Sequence, residues 1–331
     1  MRTWLGLALV GCSGAETEPV VPPVDYAEAG PWAVGTEQRT FPGPEGLELT
    51  AQVWYPSDGV QGAGTRYDGL LEGRATEGMA VACDAPRPVV VFSHGLGGVR
   101  WQSPFFVEHL ASHGFVVVAV DHPGSGLFDT DYDALPAVTV RRPADMAAAF
   151  DGLAAAYPDC VDPSAGYAAA GHSYGGYTAF AAAGAVVNDP TAPGTQIDLG
   201  DPRVWAVVAM APWDGASITD GTSAVDVPVL VLTGREDETT VLRQVRDLWQ
   251  PLAVTPRVFG IIDTAGHYSF SPVACLLETG DGCGPGFMDE PTFTRLVRRS
   301  SAAFLAGRAG MAGTEDQEAL EDPLVTWTVE R

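Results

Sequence analysis

The strongest constraint on the fold is a repeated alternation of short apolar runs with segments of helical composition. The runs are continuous and rich in β-branched residues, which is typical of parallel strands buried on both faces. They cover residues 88–92, 115–120, 167–170, 204–209, 227–232 and 257–262. Ala- and Leu-rich segments of helical length lie between them, at residues 104–112, 144–157, 174–186 and 239–249. This order predicts an α/β protein whose doubly wound, mostly parallel sheet has about eight strands flanked by helices.

The remaining segments fit one domain rather than two. Residues 47–55 alternate between apolar and polar side chains and predict an early antiparallel strand. Residues 57–86 are rich in glycine and acidic residues and predict an insertion loop, and residues 291–306 predict a last helix before an acidic tail. A chain of 331 residues can bury one large core. We therefore expect a single domain at 36–331.

The N-terminus has the order of a bacterial export signal. Arg2 precedes a short apolar run at 4–10, and small residues surround Cys12. The pattern resembles the lipobox of bacterial lipoproteins. It predicts a signal peptide at 1–11, lipidation of Cys12 and a flexible tether at 12–35. We expect an outer-membrane lipoprotein, with a periplasmic or extracellular protein as the alternative, and an ordinary N-terminus with a chance cysteine also stays open.

The charge of the chain restricts its partners. It has 42 acidic and 18 basic residues, and its formal net charge is −24 at pH 7. Nucleic-acid binding needs a basic patch, so this balance argues against that class of partner. We expect a monomer that meets a membrane only through a lipid on its N-terminus.

The segment 171–175 reads Gly-His-Ser-Tyr-Gly and contains the pattern G-x-S-x-G. Between a strand and a helix, this pattern exposes a nucleophilic serine on a sharp turn. A random order of this glycine-rich composition gives about 0.2 matches, so the context has to decide. Here a predicted strand at 167–170 precedes the pattern and a predicted helix follows it. Ser173 is therefore the candidate nucleophile, and a structural serine in a turn is the alternative.

A general base and an oxyanion-binding loop can be identified from the same alternation. The α/β-hydrolase fold has its catalytic partners in the chain order serine, acid, histidine. Of the six histidines, only His267 follows Ser173, and it lies just after the last predicted strand. A surface histidine is the alternative for this position. Upstream, the glycine-rich segment 94–98 follows the strand at 88–92, where backbone N–H groups can bind an oxyanion.

The other histidines are expected to have structural roles. His94 and His172 are expected to support the loops that contain them. His109, His113 and His122 lack the spacing of metal ligands. We therefore expect no metal.

Three segments resemble a known family. They read Phe-Ser-His-Gly-Leu-Gly-Gly-Val-Arg at 92–100, Leu-Ala-Ser-His-Gly-Phe-Val-Val-Val-Ala-Val-Asp-His at 110–122 and Gly-His-Ser-Tyr-Gly-Gly at 171–176. Together they resemble secreted platelet-activating-factor acetylhydrolases and, more broadly, the dienelactone-hydrolase-like branch of α/β-hydrolases. The resemblance implies a serine esterase that forms an acyl-enzyme without metal or cofactor, on short-chain or lipid-derived acyl esters. It also implies that Leu96 and Tyr174 supply the N–H groups of the oxyanion hole.

The acidic partner departs from the acetylhydrolases. The resemblance places it after the strand at 204–209, where this chain has Ala211. Asp237, after the next strand, matches the acid loop of dienelactone hydrolases and bacterial polyester hydrolases. We therefore expect a triad of Ser173, Asp237 and His267. The alternatives that stay open for the acid are Asp214, Glu236 and Glu238.

The same comparison suggests residues of the substrate cleft. Polyester hydrolases have a tryptophan after the sixth strand that lines the acyl cleft, and Trp213 matches it, with a place in the core as the alternative. Tyr268, beside His267, is expected to line the same cleft. A polyester hydrolase is thus the alternative within the enzyme class, and a hydrolase-fold protein that only binds a ligand is the alternative outside it.

Four cysteines follow Cys12, which fits an exported protein. Cys83 and Cys160 each precede one of two strands that are neighbours in the usual order of this fold, which brings them within reach of a disulfide. Cys275 and Cys283 lie close together in the chain and predict a local bridge. Four free thiols are the alternative.

Overall fold

A sheet of ten strands forms the centre of the protein in the computed structural model, which describes residues 24–214, 218, 221–277, 280–311 and 321–331. The strands are, along the chain, β1 Ala33–Pro42, β2 Glu48–Ser57, β3 Arg66–Tyr67, β4 Leu71–Glu72, β5 Thr76–Glu77, β6 Val89–Ser93, β7 Val116–Val120, β8 Tyr167–His172, β9 Val186–Asn188, β10 Gln196–Asp198, β11 Val204–Met210, β12 Val229–Gly234, β13 Arg257–Ile262 and β14 Val325–Glu330. The main sheet has the order β14-β13-β12-β11-β8-β6-β7-β2-β1-β5, and its strands from β13 to β7 are parallel. The short strands β3 and β4, and likewise β9 and β10, form separate antiparallel pairs.

Helices cover both faces of the sheet. They are α1 Pro104–Ser112, α2 Leu135–Ala156, α3 Tyr174–Ala182, α4 Leu242–Trp249, α5 Pro272–Leu276 and α6 Glu290–Arg308, with short 3-10 helices at Pro44–Gly46, Gly221–Ala224 and His267–Phe270. Helices α2, α3 and α4 share a core with one face, and α1 and α6 share a core with the other. Successive residues of a strand point to opposite faces, so a strand packed on both sides is apolar throughout. Within the described residues, none of these helices has both the length and the apolar composition needed to span a membrane.

The predicted fold is confirmed, and the sheet is larger than expected. All six apolar runs form strands of its parallel part, and the alternating stretch at 47–55 forms β2, antiparallel to β7. Ten strands are present instead of about eight because β1, β5 and β14 extend the sheet at its two sides. These strands are partly exposed and mostly polar, as residues 36–40 of β1 illustrate. They therefore contain no apolar run that the sequence could reveal.

Helix α2 begins at Leu135, earlier than the predicted start at residue 144. Pro143 lies inside the helix, and proline cannot donate a hydrogen bond to the carbonyl four residues earlier, that of Thr139. The hydroxyl of Tyr177, on α3, donates to this carbonyl at 3.2 Å. A contact between helices thus replaces the missing bond, which the local sequence does not show.

Residues 24–35 pack against the domain, so the predicted domain start at residue 36 is too late. Tyr26 is buried, and its carbonyl oxygen lies 2.9 Å from Nε2 of His109. The N–H of Gly30 donates to Ser112 Oγ at 2.9 Å, and β1 already begins at Ala33. The last part of the predicted tether is therefore folded. The predicted signal peptide, Cys12 and residues 13–23 lie outside the described residues.

Two disulfides have the predicted pairing. Cys83–Cys160 joins the segments that precede the neighbouring strands β6 and β8. Cys275–Cys283 closes a short loop that begins in α5. Both predicted bridges are thus confirmed, and each constrains a segment near the sheet.

Removal of these bridges is expected to lower stability by unequal amounts. Their sequence separations are 77 and 8 residues. The loop-closure entropy of the unfolded chain then corresponds to about 4.5 kcal/mol for the long loop and about 2.5 kcal/mol for the short one. We expect Cys83→Ser/Cys160→Ser to lose more free energy of unfolding than Cys275→Ser/Cys283→Ser in equilibrium urea denaturation. An equal loss or the reverse order would contradict this account.

Candidate active site

The candidate site lies at the carboxyl ends of the parallel strands, where loops following β6, β8, β11, β12 and β13 converge. Ligands of open α/β sheets bind at this edge. A cavity of about 520 Å³ opens there. It is lined by six residues that the sequence suggested for the site, namely Leu96, Ser173, Tyr174, Trp213, His267 and Tyr268.

Ser173 occupies the turn between β8 and α3 in an unusual backbone conformation, with φ 57° and ψ −117°. Such a conformation costs about 1–3 kcal/mol in a residue with a side chain. Two hydrogen bonds to the end of β11 and the segment after it hold this turn: the Ser173 N–H donates to Met210 O at 2.9 Å, and the Trp213 N–H donates to Ser173 O at 3.0 Å. A Cβ atom at Gly175 would lie 1.8 Å from the carbonyl oxygen of Ser93, so this tight turn requires glycine there.

Asp237 and His267 come from the loops after β12 and β13 and meet below the cavity. Oδ2 of Asp237 lies 3.0 Å from Nδ1 of His267, and both side chains are buried. The other carboxylate oxygen, Oδ1, accepts the N–H groups of Thr240 at 2.6 Å and Thr239 at 3.0 Å. These bonds fix the carboxylate, and its Oδ2, which also lies 2.9 Å from the Thr240 hydroxyl oxygen, is directed toward the imidazole.

The other acidic candidates have different surroundings. Glu236 and Glu238 are exposed on either side of Asp237. Asp214 is half-buried after β11, and its carbonyl oxygen accepts the N–H of Ile218. Ala211, where the acetylhydrolase resemblance would place an acid, is fully buried, and its carbonyl oxygen accepts the Thr240 hydroxyl at 3.1 Å. Thr240 thereby connects the loop of Asp237 to the end of β11.

Asp281 joins the loops of the acid and the base, a role that the sequence did not suggest. Its Oδ1 accepts the backbone N–H of His267 at 2.9 Å. Its Oδ2 accepts the N–H groups of Glu238 at 3.1 Å and Thr239 at 2.9 Å, and the Thr239 hydroxyl at 2.8 Å. The Cys275–Cys283 bridge closes the loop in which Asp281 lies. The only signal in the sequence is an acidic residue between two bridged cysteines, which is too common to indicate a role.

In the glycine-rich loop after β6, hydrogen bonds fix the backbone N–H groups on both sides of Leu96. The N–H groups of Gly95, Gly97 and Gly98 donate to Gln102 Oε1 at 3.0 Å, to Ser125 O at 2.9 Å and to Gly95 O at 3.0 Å. Leu96 lies among them on the cavity wall. Tyr174 is the first residue of α3, and the N–H of a first helical residue has no acceptor within its own helix. Both residues lie where an oxyanion could be bound.

A buried histidine connects this loop to the base. His172 Nδ1 lies 3.0 Å from Gln102 Nε2, and its Nε2 lies 3.0 Å from the carbonyl oxygen of His267. Burial lowers the pKa of His172 well below its usual range, so the ring is neutral and its one N–H donates to His267 O. His172 thus supports the base loop, as expected. The part played by Gln102, seventy residues away, has no local signal in the sequence.

The remaining histidines lie away from the cavity. His94 and His122 are fully buried, and the backbone N–H of His122 donates to Nε2 of His94 at 3.1 Å. The rings of His109 and Tyr26 both pack against His113, and both histidines contact backbone carbonyls of the N-terminal segment. In the part of the chain that the structure describes, no group of histidine, cysteine and acidic side chains is arranged to hold a metal ion.

Aromatic and aliphatic side chains form the mouth of the cavity. Trp213 packs edge-on against Tyr174 with ring centroids 5.2 Å apart, and Tyr268 packs edge-on against His267 at the same centroid distance. Four exposed apolar side chains line the cavity: Leu96, Tyr132, Trp213 and Leu277. The described lining contains no aspartate, glutamate, lysine or arginine, so the cavity favours an uncharged, apolar group.

Comparisons with known proteins place these features in a family. The family model described as "Alpha/beta hydrolase family" matches residues 90–321. The solved structure of a ferulic acid esterase from Streptomyces cinnamoneus is similar in fold, with a TM-score of 0.67 and 22% sequence identity. The match covers 93% of this chain and 98% of that one. A search of curated proteins found no match.

Proposed function

The chain belongs to the alpha/beta hydrolase family, and on this premise we propose that it is a serine carboxylic-ester hydrolase with Ser173, His267 and Asp237 as its triad. The observation that carries the proposal is the 3.0 Å contact between His267 Nδ1 and Asp237 Oδ2 beside a cavity that Ser173 lines. A base oriented by a buried carboxylate, next to a serine on a strained turn, is the arrangement that acyl transfer needs.

In the first step, Ser173 attacks the ester carbonyl carbon. His267 accepts the hydroxyl proton on Nε2, while Asp237 accepts the hydrogen bond from Nδ1–H and stabilises the imidazolium. The carbonyl oxygen becomes an oxyanion bound by the N–H groups of Leu96 and Tyr174, and each such donor contributes about 2.7–4 kcal/mol in the transition state. As the tetrahedral intermediate collapses, His267 gives its proton to the departing alcohol, and an acyl-enzyme remains.

In the second step, water releases the acyl group. His267 takes a proton from the water as its oxygen attacks the acyl-enzyme, and the same two N–H groups bind the new oxyanion. Ser173 then leaves with the proton held by His267, which yields a carboxylic acid and the free enzyme. The reaction needs no second general acid or base, because both protons pass through the imidazole of His267.

The cavity supports short-chain or lipid-derived acyl esters as substrates. Its size of about 520 Å³ suits an acyl chain rather than a large polar group. The wall beyond Ser173 is formed by side chains such as Leu127, Leu135, Val273 and Ala274. The acidic charge of the chain also disfavours anionic substrates, because like charges repel on approach.

A polyester is the second candidate substrate, and the exposed mouth of the cavity favours it. Tyr132 is 73% exposed and Leu277 is 58% exposed, so the cavity opens onto an apolar surface that a polymer chain could cover. Initial rates on p-nitrophenyl esters from C2 to C12, and product release from a polyester film, separate the two candidates. We expect the highest kcat/KM on one of the shorter soluble esters, whereas film hydrolysis with poor ester turnover would favour the polyester.

We also propose that the protein works outside the cytoplasm. The support is the pair of disulfides, since such bridges persist in oxidising compartments. The N-terminal pattern that predicts lipidation of Cys12 agrees with this location. Mass spectrometry of the protein from membrane and soluble fractions would detect a lipid on Cys12.

Labelling with a fluorophosphonate probe tests the proposed function. The probe reacts only with an activated serine, so we expect one label on the native protein and none on Ser173→Ala. A native, folded protein that takes no label would instead support the hydrolase-fold binding protein that the sequence left open.

A further inference from the structure

A fully buried arginine lies behind the cavity, outside the groups that the reaction uses. Arg142, on α2, has no exposed surface. Burial lowers its pKa to about 10, which still leaves the guanidinium charged at neutral pH. A charge in this position costs free energy unless several hydrogen bonds compensate it. Its partners therefore indicate what it does.

Each arm of the guanidinium reaches a different part of the site. Nη2 donates to Ser93 Oγ at 2.9 Å and to the carbonyl oxygen of His94, at the end of β6. Nε donates to Thr178 Oγ1 at 2.9 Å, on α3, and Nη1 donates to Ser125 Oγ at 2.7 Å, in the loop after β7. One side chain thus connects three segments that are distant in sequence.

These acceptors connect Arg142 to the two segments that contain the proposed oxyanion donors. His94 lies two residues before Leu96, and Ser125 O accepts the N–H of Gly97 at 2.9 Å, so two arms border the loop of Leu96. The Thr178 hydroxyl donates to the carbonyl oxygen of Tyr174 at 2.8 Å. The guanidinium also lies over the ring of Tyr174, 4.4 Å from its centroid.

A buried row of side chains anchors the arginine from the other side. His122 Nδ1 lies 2.9 Å from Asp145 Oδ2, and His122 Nε2 lies 2.9 Å from Ser93 Oγ. Burial lowers the pKa of His122 well below its usual range, so the neutral ring donates to Asp145 and accepts from the Ser93 hydroxyl. Ser93 Oγ then accepts from Arg142. Ser93, His122 and Asp145 are buried and none of them lines the cavity, so this Ser–His–Asp row has a structural role, not a catalytic one.

We propose that Arg142 is a positioning residue that sets the spacing of the Leu96 and Tyr174 N–H groups in the oxyanion hole. The proposal rests on the proposed function, because the spacing matters only if an oxyanion forms. Arg142 does not line the cavity, so it acts through the backbone of the two segments that it joins. Lysine cannot replace it, because an ammonium group lacks the planar fork that reaches four acceptors.

A loss of this spacing is expected to affect turnover more than substrate binding. The oxyanion is absent from the bound ester and develops only as the tetrahedral intermediate forms, so its donors contribute to kcat rather than to KM. We expect Arg142→Lys to lower kcat by about 100-fold, with KM within about threefold of the native value. A partial loss of folded protein would also lower the apparent kcat at unchanged KM, but only in proportion to the folded fraction, so kcat is calculated for the folded fraction that circular dichroism measures.

A second variant keeps the test decisive if Arg142→Lys does not fold. Thr178→Val removes the contact that joins Arg142 to Tyr174 O, and we expect it to lower kcat by about tenfold at unchanged KM. Thr233→Val is the matched control, because the buried Thr233 Oγ1 has no hydrogen-bond partner within the described residues. Thr233→Val should keep the native kcat. A tenfold loss in Thr233→Val would show that any buried Thr→Val substitution lowers kcat, and it would overturn the proposal.

The experiment measures kcat and KM on p-nitrophenyl acetate together with the fluorophosphonate labelling rate and Tm. In one outcome, the native protein hydrolyses the ester while the folded Arg142→Lys and Thr178→Val variants keep their kcat within threefold. That result overturns the positioning role alone. A native protein that neither hydrolyses the ester nor takes the label overturns the proposed function and this inference with it. The two failures are therefore distinguishable.

Discussion

Replacement of Ser173 with alanine is expected to lower kcat for ester hydrolysis by about 10⁵-fold or more. The hydroxyl is the proposed nucleophile, and no acyl-enzyme forms without it. The remaining N–H groups could then only assist the attack of water. Initial rates on p-nitrophenyl acetate, with active-site titration of the native protein, would measure the loss. The strain of the turn is relieved little by this change, since alanine retains Cβ, so Tm should stay close to the native value.

Ser164→Ala is the control for the substitution of Ser173. Ser164 is exposed in the loop before β8, at the opposite end of the strand from Ser173. The control should hydrolyse the ester at the native rate. If Ser173→Ala kept more than about a tenth of the native kcat while folded, the proposed mechanism would be wrong.

Replacement of Asp237 with asparagine is expected to lower kcat by about 10⁴-fold. Oδ1 accepts the N–H groups of Thr239 and Thr240, so the amide oxygen of asparagine will take that place. The amide NH₂ group then faces His267 Nδ1, which must act as an acceptor. The imidazole proton moves to Nε2, and the ring can no longer take the Ser173 proton. Kinetics at several pH values would measure this loss.

Asp214→Asn is the matched control, because it makes the same chemical change at the other aspartate that the sequence left open. We expect its kcat to stay within about threefold of the native value. A larger loss in Asp214→Asn than in Asp237→Asn would transfer the acid role to Asp214. Circular dichroism and Tm of both variants would show that each is folded.

Most of the parallel sheet could be predicted because its strands are buried on both faces. Such strands are apolar along their whole length, and this pattern is visible without knowledge of their partners. Strands β1 and β14 each have an exposed face, so neither contains a continuous apolar run. The long start of α2 was missed for another reason: Pro143 predicts a helix boundary, and the compensating hydroxyl of Tyr177 comes from another helix.

The residues of the candidate site also differ in whether a local sequence pattern indicates them. Ser173 and His267 could be proposed because each follows a strand, and Asp237 because its loop resembles the acid loop of dienelactone hydrolases and bacterial polyester hydrolases. Asp281 and Gln102 have no such local signal. They act through hydrogen bonds between separate segments of the chain, such as that of Gln102 with His172. A single sequence contains no local pattern that indicates which distant residues form such hydrogen bonds.

The walls of the cavity and its reactive groups come from different parts of the chain. The proposed triad follows directly after strands, whereas much of the wall comes from segments 127–139 and 268–277. Changes in these connecting segments leave the strand ends in place. The substrate range of this protein can therefore evolve separately from its reaction. In a directed-evolution experiment, libraries confined to the two segments should yield new ester preferences at a lower cost in folded protein than libraries spread over the sheet.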